Sequence, residues 1–284
     1  MKLVYRDGRI EDVCPSGSQK FLYRNFFGRI ILKILTRPFF TKFMGWFLST
    51  RLSKKRIPKF IKSANINPDD YILDNINSYN DFFTRKIKDG KRTINMNQNI
   101  LISPCDSRLT VYKINEDSIF NIKDSYYKVS DLLNDESLAK EYLNGYAFVF
   151  RLDVSDYHRY SYIDSGKKEK NIHIKGIFHT VNQIALERYN FYKTNSREYT
   201  ILHTNNFGDV IMCEVGAMMV GKIKNHHEEY EFKKGEEKGY FEFGGSTIVL
   251  LIKDIIDIDL DILNNSKSGN ETRVYLGERI AIRK

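Results

Sequence analysis

Paired cysteines are missing from this chain. Cys14, Cys105 and Cys213 are the only three and no CxxC occurs, which excludes a disulfide framework and a cysteine zinc site and points to reduced, cytosolic thiols. No run reaches the ~18 uncharged apolar residues that a spanning helix needs. The opening Met1-Lys2-Leu3-Val4-Tyr5-Arg6-Asp7 has no apolar stretch behind its charge, so it does not read as a secretory signal. GxGxxG, GxxxxGK followed by Ser or Thr, and HExxH are all absent, leaving dinucleotide, nucleoside triphosphate and helix-borne zinc chemistry without support. His226-His227-Glu228-Glu229 does not supply a metal site, because on a strand the two rings would face opposite ways; a charged hairpin is the reading adopted, and no metal is expected. Repeats and low-complexity tracts are lacking too.

What is present is unevenly spread. The 284 residues carry a formal charge of +9, enough chain for one large or two modest domains. Residues 1 to 60 hold 14 Lys/Arg against 3 Asp/Glu, and the remainder 31 against 33, so basicity belongs to the N-terminal fifth. From Phe21 to Phe60 large apolar residues alternate with Arg24, Arg29, Lys33, Arg37, Lys42, Arg51, Lys54, Lys55, Arg56 and Lys59, with no acid between them. Phe26, Phe27, Ile30, Ile31, Ile34 and Leu35 recur at helical spacing, Pro38 breaks the pattern, and Phe43, Trp46 and Phe47 resume it. Two basic amphipathic helices follow, suited to lie in an anionic bilayer surface through Phe26, Phe27, Ile30 and Trp46. The alternative is a helical layer packed on a domain with solvated cations. Nucleic acid ranks last, since no recognition motif accompanies the charge.

Residues 61 to 98 read as a polar connection with short helices, one starting at Pro68-Asp69-Asp70. Beyond residue 100, strand-like runs punctuated by Gly, Asn and Asp dominate: Leu109–Tyr112, Tyr146–Leu152, Ile172–Ile174, Val210–Met212, Met218–Val220 and Ile248–Ile252. Ser130 or Asp131 is placed to cap a short helix through Asn134. The fold class expected is therefore α+β: a basic amphipathic helical region over 1–60, and a β-rich, barrel-like or sandwich body over 61–284.

Three spots could carry chemistry. Asp106 follows Ser103-Pro104-Cys105 and could orient a base or satisfy turn amides. His158, in Asp156-Tyr157-His158-Arg159, lies just beyond the strongest apolar strand and could act as acid or base or be structural; His179, in Phe178-His179-Thr180, is held in reserve. Gly244-Gly245-Ser246-Thr247 enters the last apolar run. It reads as a tight turn, or as a hydroxyl beside an unhindered glycine carbonyl, the arrangement an N-to-O acyl shift requires.

In order, these segments resemble phosphatidylserine decarboxylase, a pyruvoyl-dependent family. The resemblance rests on Phe82-Phe83-Thr84-Arg85-Lys86 through Arg92, Ser103-Pro104-Cys105-Asp106, Asp156-Tyr157-His158-Arg159, Thr180-Val181-Asn182 and Phe207-Gly208. It continues through Val215-Gly216-Ala217, Val220-Gly221, Lys234-Gly235-Glu236-Glu237-Lys238-Gly239 and Gly245-Ser246-Thr247, covering roughly residues 80 to 255. It implies self-cleavage between Gly245 and Ser246 into chains 1–245 and 246–284 that remain associated. It further implies a pyruvoyl group made from Ser246, and a Schiff base between that group and the serine amine of phosphatidylserine through which CO2 is lost to give phosphatidylethanolamine. By the same resemblance Asp106 belongs to the self-cleavage machinery and His158 to the active site.

Such an enzyme is expected on the cytoplasmic face of the cell membrane as a peripheral protein; a homodimer is left open. One departure matters. The family commonly has D-Y-H-R-x-H, its second histidine joining the aspartate and serine as the cleavage triad, and here that position is Ser161. A serine does not replace an imidazole base unaided, so His158, with His179 in reserve, is expected to deprotonate Ser246. Ser107, where the family usually has Gly, and Gln183, where Pro often follows the Asn, are lesser departures. Two alternatives stand beside this reading: a pyruvoyl decarboxylase of a soluble amino acid, which leaves the cationic helices without a purpose, and a cleavage-defective membrane homologue with a structural or interaction role.

Overall fold

Tyr146–Leu152 and Ser246–Ile252 are runs of aromatic and β-branched residues with hardly a charge in them, and both form strands at the centre of the molecule, buried on both faces. They are seen in a computed structural model that describes residues 2–13, 17–115, 119–122, 125–176, 195–216, 222–242 and 246–284. These two strands pair antiparallel with Ser246 opposite Leu152 and Ile252 opposite Tyr146. Around them an 11-stranded sheet is ordered Tyr230–Phe232, Gly166–Lys168, Arg197–Thr204, Gly208–Gly216, Ser246–Ile252, Tyr146–Leu152, Ser107–Lys113, Glu271–Val274, Lys2–Tyr5, Ile10–Asp12, with Ile172–Ile174 also on Arg197–Thr204. All its pairings are antiparallel except Lys2–Tyr5 against Glu271–Val274.

The sheet is open. Its margins are the three-residue strands Tyr230–Phe232 and Ile10–Asp12, the latter wholly exposed. The described strands therefore close no barrel, and the barrel-like expectation gives way to a mixed α+β arrangement. Short marginal strands, one of them polar and solvated, offer no long apolar edge to seal. Two three-stranded sheets share the core with the large one: Ile256–Ile258, Arg279–Arg283, Ile100–Ile102, and Arg159–Ser161, Glu237–Phe241, Ile223–Asn225. His226 and His227 follow Ile223–Asn225, but that strand and Tyr230–Phe232 join different sheets, so the expected charged hairpin is not formed.

The helical stretch near the N-terminus begins at Gly17 and not at residue 1, because Lys2–Tyr5 and Ile10–Asp12 are strands of the large sheet. Helices Gly17–Arg24, Phe26–Leu35 and Pro38–Leu48 follow, with Pro38 in the first turn of the third, where its missing N–H costs nothing. Tyr23 and Leu32 face the main core. A second, smaller core gathers Leu48, Ile57, Ile66, Tyr71, Tyr79, Phe82, Phe83 and Tyr157. Here Pro68–Asp70 is a single 3-10 turn, capped by the Asn67 side chain on the Asp69 amide at 3.2 Å. The Ser130/Asp131 cap is not realised: the helix runs Val129–Leu133 without a side-chain cap and ends on Asn134 at φ 54°. Met218–Val220 lies outside the described residues.

Candidate active site

Ser246 opens the central strand. It pairs with Leu152 on one side and Gly216 on the other, and strand alternation puts its side chain on the face of Ile248 and Leu250, with Thr247 on the opposite face. The residue is fully buried, and its Oγ has no hydrogen-bond partner among the described residues. A buried hydroxyl left without any partner costs ~1–3 kcal/mol. Gly216, its partner across the strand, carries no side chain. Gly244 and Gly245, the other half of the expected scissile bond, lie outside the described residues, as do His179 and Thr180-Val181-Asn182.

His158 lies close to the segment that leads into Ser246. Its carbonyl accepts from the Phe241 amide at 2.9 Å, five residues upstream of Ser246, while Leu152, six residues before His158, is Ser246's own strand partner. The imidazole is buried, and its ring centroid is 4.1 Å from that of Phe83. Nδ1 is 2.9 Å from the Asp156 carbonyl oxygen. A carbonyl only accepts, so Nδ1 carries the proton and Nε2 the lone pair, the form a general base requires. Thus the ring is oriented by a backbone carbonyl and an aromatic neighbour.

Asp106 is held by an arginine and a backbone amide. Its Oδ1 accepts from Arg92 Nε and from the Leu276 amide, each at 2.9 Å, and its Oδ2 from Arg92 Nη2 at 2.5 Å. The residue precedes Ser107–Lys113, and one step beyond the Arg108–Arg151 pair that strand reaches the level of Leu152. Asp106 and Ser246 therefore share one margin of the sheet with a single strand between them, roughly 10 Å at the usual spacing of ~4.8 Å per strand. Ser161, where the family commonly has its second histidine, donates its amide to the Pro104 carbonyl at 2.9 Å. It is buried, and its Oγ has no partner among the described residues. The backbone at position 161 therefore lies against the loop that carries Asp106.

Several participants were not legible beforehand. Arg273 Nη1 bonds Asp156 Oδ1 at 2.6 Å, and Asp156 Oδ2 in turn accepts from the Asp153 amide at 2.7 Å, tying the turn that carries His158 to the Glu271–Val274 strand. Burial pushes the Asp156 carboxyl up, with Arg273 pulling it partly back. Asp153, also raised by burial, is held below its ordinary value by Arg108 and Arg151. On the Ser246 face, two residues along from Gly216, Glu214 forms a fully buried pair with Lys238 at 2.8 Å, and Asn225 joins both with Glu198. Burial raises the Glu214 carboxyl despite Lys238. The motif Phe82-Phe83-Thr84-Arg85 could have signalled Phe83, and it also buries Arg85, whose guanidinium lies 4.2 Å from the Tyr71 ring centre. Asn225, Arg273 and Glu214 carry no local signal.

Among the described residues no group of three or more His, Cys, Asp or Glu could hold a metal ion, and no helix is long and apolar enough to cross a membrane. The four residues expected to meet lipid stand out from the helical layer: Phe26 is 63 % exposed, Phe27 69 %, Ile30 49 % and Trp46 65 %.

Comparison with known proteins follows the same line. A family model described as phosphatidylserine decarboxylase matches residues 79–282. A Clostridium acetobutylicum protein named phosphatidylserine decarboxylase proenzyme 2 is 49 % identical over 267 residues, spanning 93 % of this chain and 91 % of the relative. Proteins named phosphatidylserine decarboxylase proenzyme are 42 % identical in Clostridium botulinum, over 98 % of this chain and 97 % of the relative, and 42 % in Clostridium kluyveri, over 96 % and 95 %.

Proposed function

The chain belongs to the phosphatidylserine decarboxylase family, and from that premise we propose that it converts phosphatidylserine to phosphatidylethanolamine and CO2 at residue 246, after cutting itself between Gly245 and Ser246. The observation that carries this reading is Ser246 itself, a buried hydroxyl without a partner among the described residues, at the first position of the central strand and across from a glycine. A hydroxyl engaged by none of the described residues keeps its lone pairs for the carbonyl that precedes it. In the cut, Ser246 Oγ adds to the Gly245 carbonyl while its proton passes to a base; the peptide nitrogen leaves as the amine, and an ester joins residue 245 to the Ser246 oxygen. Removal of the residue 246 Cα proton expels the Gly245 carboxylate. Water then takes the place of nitrogen, which departs as ammonia and leaves a carbonyl. The pyruvoyl group so formed would supply an acceptor for the electrons released when CO2 leaves.

His158 supplies the base in this reading. Its Nε2 lone pair takes the Ser246 proton, and the resulting imidazolium can return a proton to the substrate carbon after CO2 is lost. Asp106 acts at one remove: with Arg92 it fixes the loop on which Ser161 rests, and it is a positioning residue. The reading is tested by incubating the purified chain with phosphatidylserine vesicles. Equimolar phosphatidylethanolamine and CO2, and a mass spectrum showing the products 1–245 and 246–284, are expected. An intact chain of 33.4 kDa that forms no product would overturn it.

The N-terminal helices bring this site to its lipid as a peripheral layer on the cytoplasmic face of the membrane. Support comes from the second core, in which helix residues such as Leu48 join Phe83 and Tyr157, the neighbours of His158 in space and in sequence. Each large side chain that enters the acyl boundary contributes about 1.5–3 kcal/mol. Replacing Phe26, Phe27, Ile30 and Trp46 together by Ser is therefore expected to abolish flotation with anionic vesicles and to leave the melting temperature unchanged, because all four are exposed. Undiminished flotation would show that other surfaces hold the lipid.

A further inference from the structure

A cavity of about 440 Å³ opens in the basic N-terminal layer, away from Ser246, between helix Pro38–Leu48, the 3-10 turn Arg51–Arg56 and helix Ile57–Ser63. Its volume is that of an ordinary small-ligand site. Lys55, Arg56 and Lys59 stand on its wall, and Leu48, Phe60 and Tyr79 supply apolar surface. Among the described residues none of the three cations forms a salt bridge, and the chain has no Asp or Glu from residue 13 to residue 68 to provide one. Arg56 only lies over the Phe47 ring, 5.3 Å from its centre. Three cations beside an apolar wall match a phosphate that has a hydrocarbon root attached, and they match a purely polar anion poorly.

We propose that this cavity binds the head and glycerol root of an anionic phospholipid, as a site separate from the one that processes substrate. The phosphate sits among Lys55, Arg56 and Lys59, and the first acyl carbons lie on Leu48 and Phe60. The inference builds on the reading of this chain as a lipid-surface enzyme. Its position gives the site a structural consequence. Tyr79, on the cavity wall, begins the helix Tyr79–Phe83, and Phe83 at the far end of that helix packs on the His158 ring at 4.1 Å. An occupant pressed on Tyr79 braces the five-residue helix that seats the imidazole.

The test uses the full chain and dihexanoyl-phosphatidylglycerol kept below its micelle concentration, so that no bilayer is present and no turnover is measured; failure here leaves the decarboxylase reading untouched, and the reverse also holds. Calorimetric titration is expected to show binding that Lys55→Gln with Lys59→Gln weakens at least tenfold. Lys20→Gln with Lys42→Gln, the same charge loss outside the cavity, is expected to weaken it less than twofold. Hydrogen exchange at residues 79–83 should slow when the lipid is added to the unmodified chain and stay unchanged in the Lys55/Lys59 variant. Equal weakening by both pairs of substitutions, equal binding of dihexanoyl-phosphatidylcholine, full competition by inorganic phosphate at the lipid's own concentration, or no change in exchange at 79–83 would each overturn the assignment.

Discussion

Ser246→Ala is expected to leave one chain of 33.4 kDa indefinitely, with decarboxylation below detection. The oxygen it removes is the atom that attacks the Gly245 carbonyl and the atom that leaves with the Gly245 carboxylate in the elimination that follows, so no partial route remains. The usual objection to such a variant is that it misfolds, and the structure answers it. Ser246 Oγ is buried without a partner among the described residues, so alanine removes a desolvated hydroxyl and breaks no hydrogen bond to any of them. The melting temperature should hold or rise slightly. Mass spectrometry and a melting curve on the same sample check both parts: a cut chain would show that another residue is the nucleophile, and a collapsed melting temperature would show that the hydroxyl has an unrecognised structural task.

His158→Ala is expected to slow self-cleavage by about 10²–10⁴-fold, the usual worth of a positioned acid or base. The stability cost should be smaller. Nδ1 gives up one bond to the Asp156 carbonyl, and Phe83 loses a ring neighbour; at ~1 kcal/mol for a hydrogen bond plus the void left by the ring, the fold survives. Added imidazole should enter that void and restore part of the cleavage rate, a rescue that a purely structural role would not show. Cleavage undiminished in the variant would pass the base's role to another imidazole, His179 first.

The parts of this site that could be read from residue order are those with local signatures. Tyr146–Leu152 and the run from Ile248 declare themselves as strands by composition, and the glycines before Ser246 are the expected cleavage signal, though they lie outside the described residues. What escaped depends on contacts distant in sequence. Lys2–Tyr5 looks like a charged start, yet it is a strand because Glu271–Val274, some 270 residues later, offers it an edge. Asp106 could be read as orienting a base or satisfying amides, and its partners, Arg92 and the Leu276 amide, come from positions 14 and 170 residues away that its own sequence neighbours do not indicate. The buried Glu214–Lys238 pair joins the large sheet to a small one, and no local pattern distinguishes it from two surface charges. The barrel-like outline failed for a related reason, since a list of strands does not say which two end up on the margins.

The Ser246–Ile252 strand is gripped on both sides by strands that precede it, and the segment after it adds Glu271–Val274 to the large sheet and Ile256–Ile258 and Arg279–Arg283 to a small one. While residue 245 is bonded to residue 246, all of these associate at the high local concentration that a single chain provides. Cutting that bond would turn renaturation into a meeting of two molecules, in which a short piece with an apolar first strand must find three places at once and aggregation competes. The mature enzyme would then keep its shape by history: it is assembled once, as a precursor, and heat or denaturant would dismantle it for good.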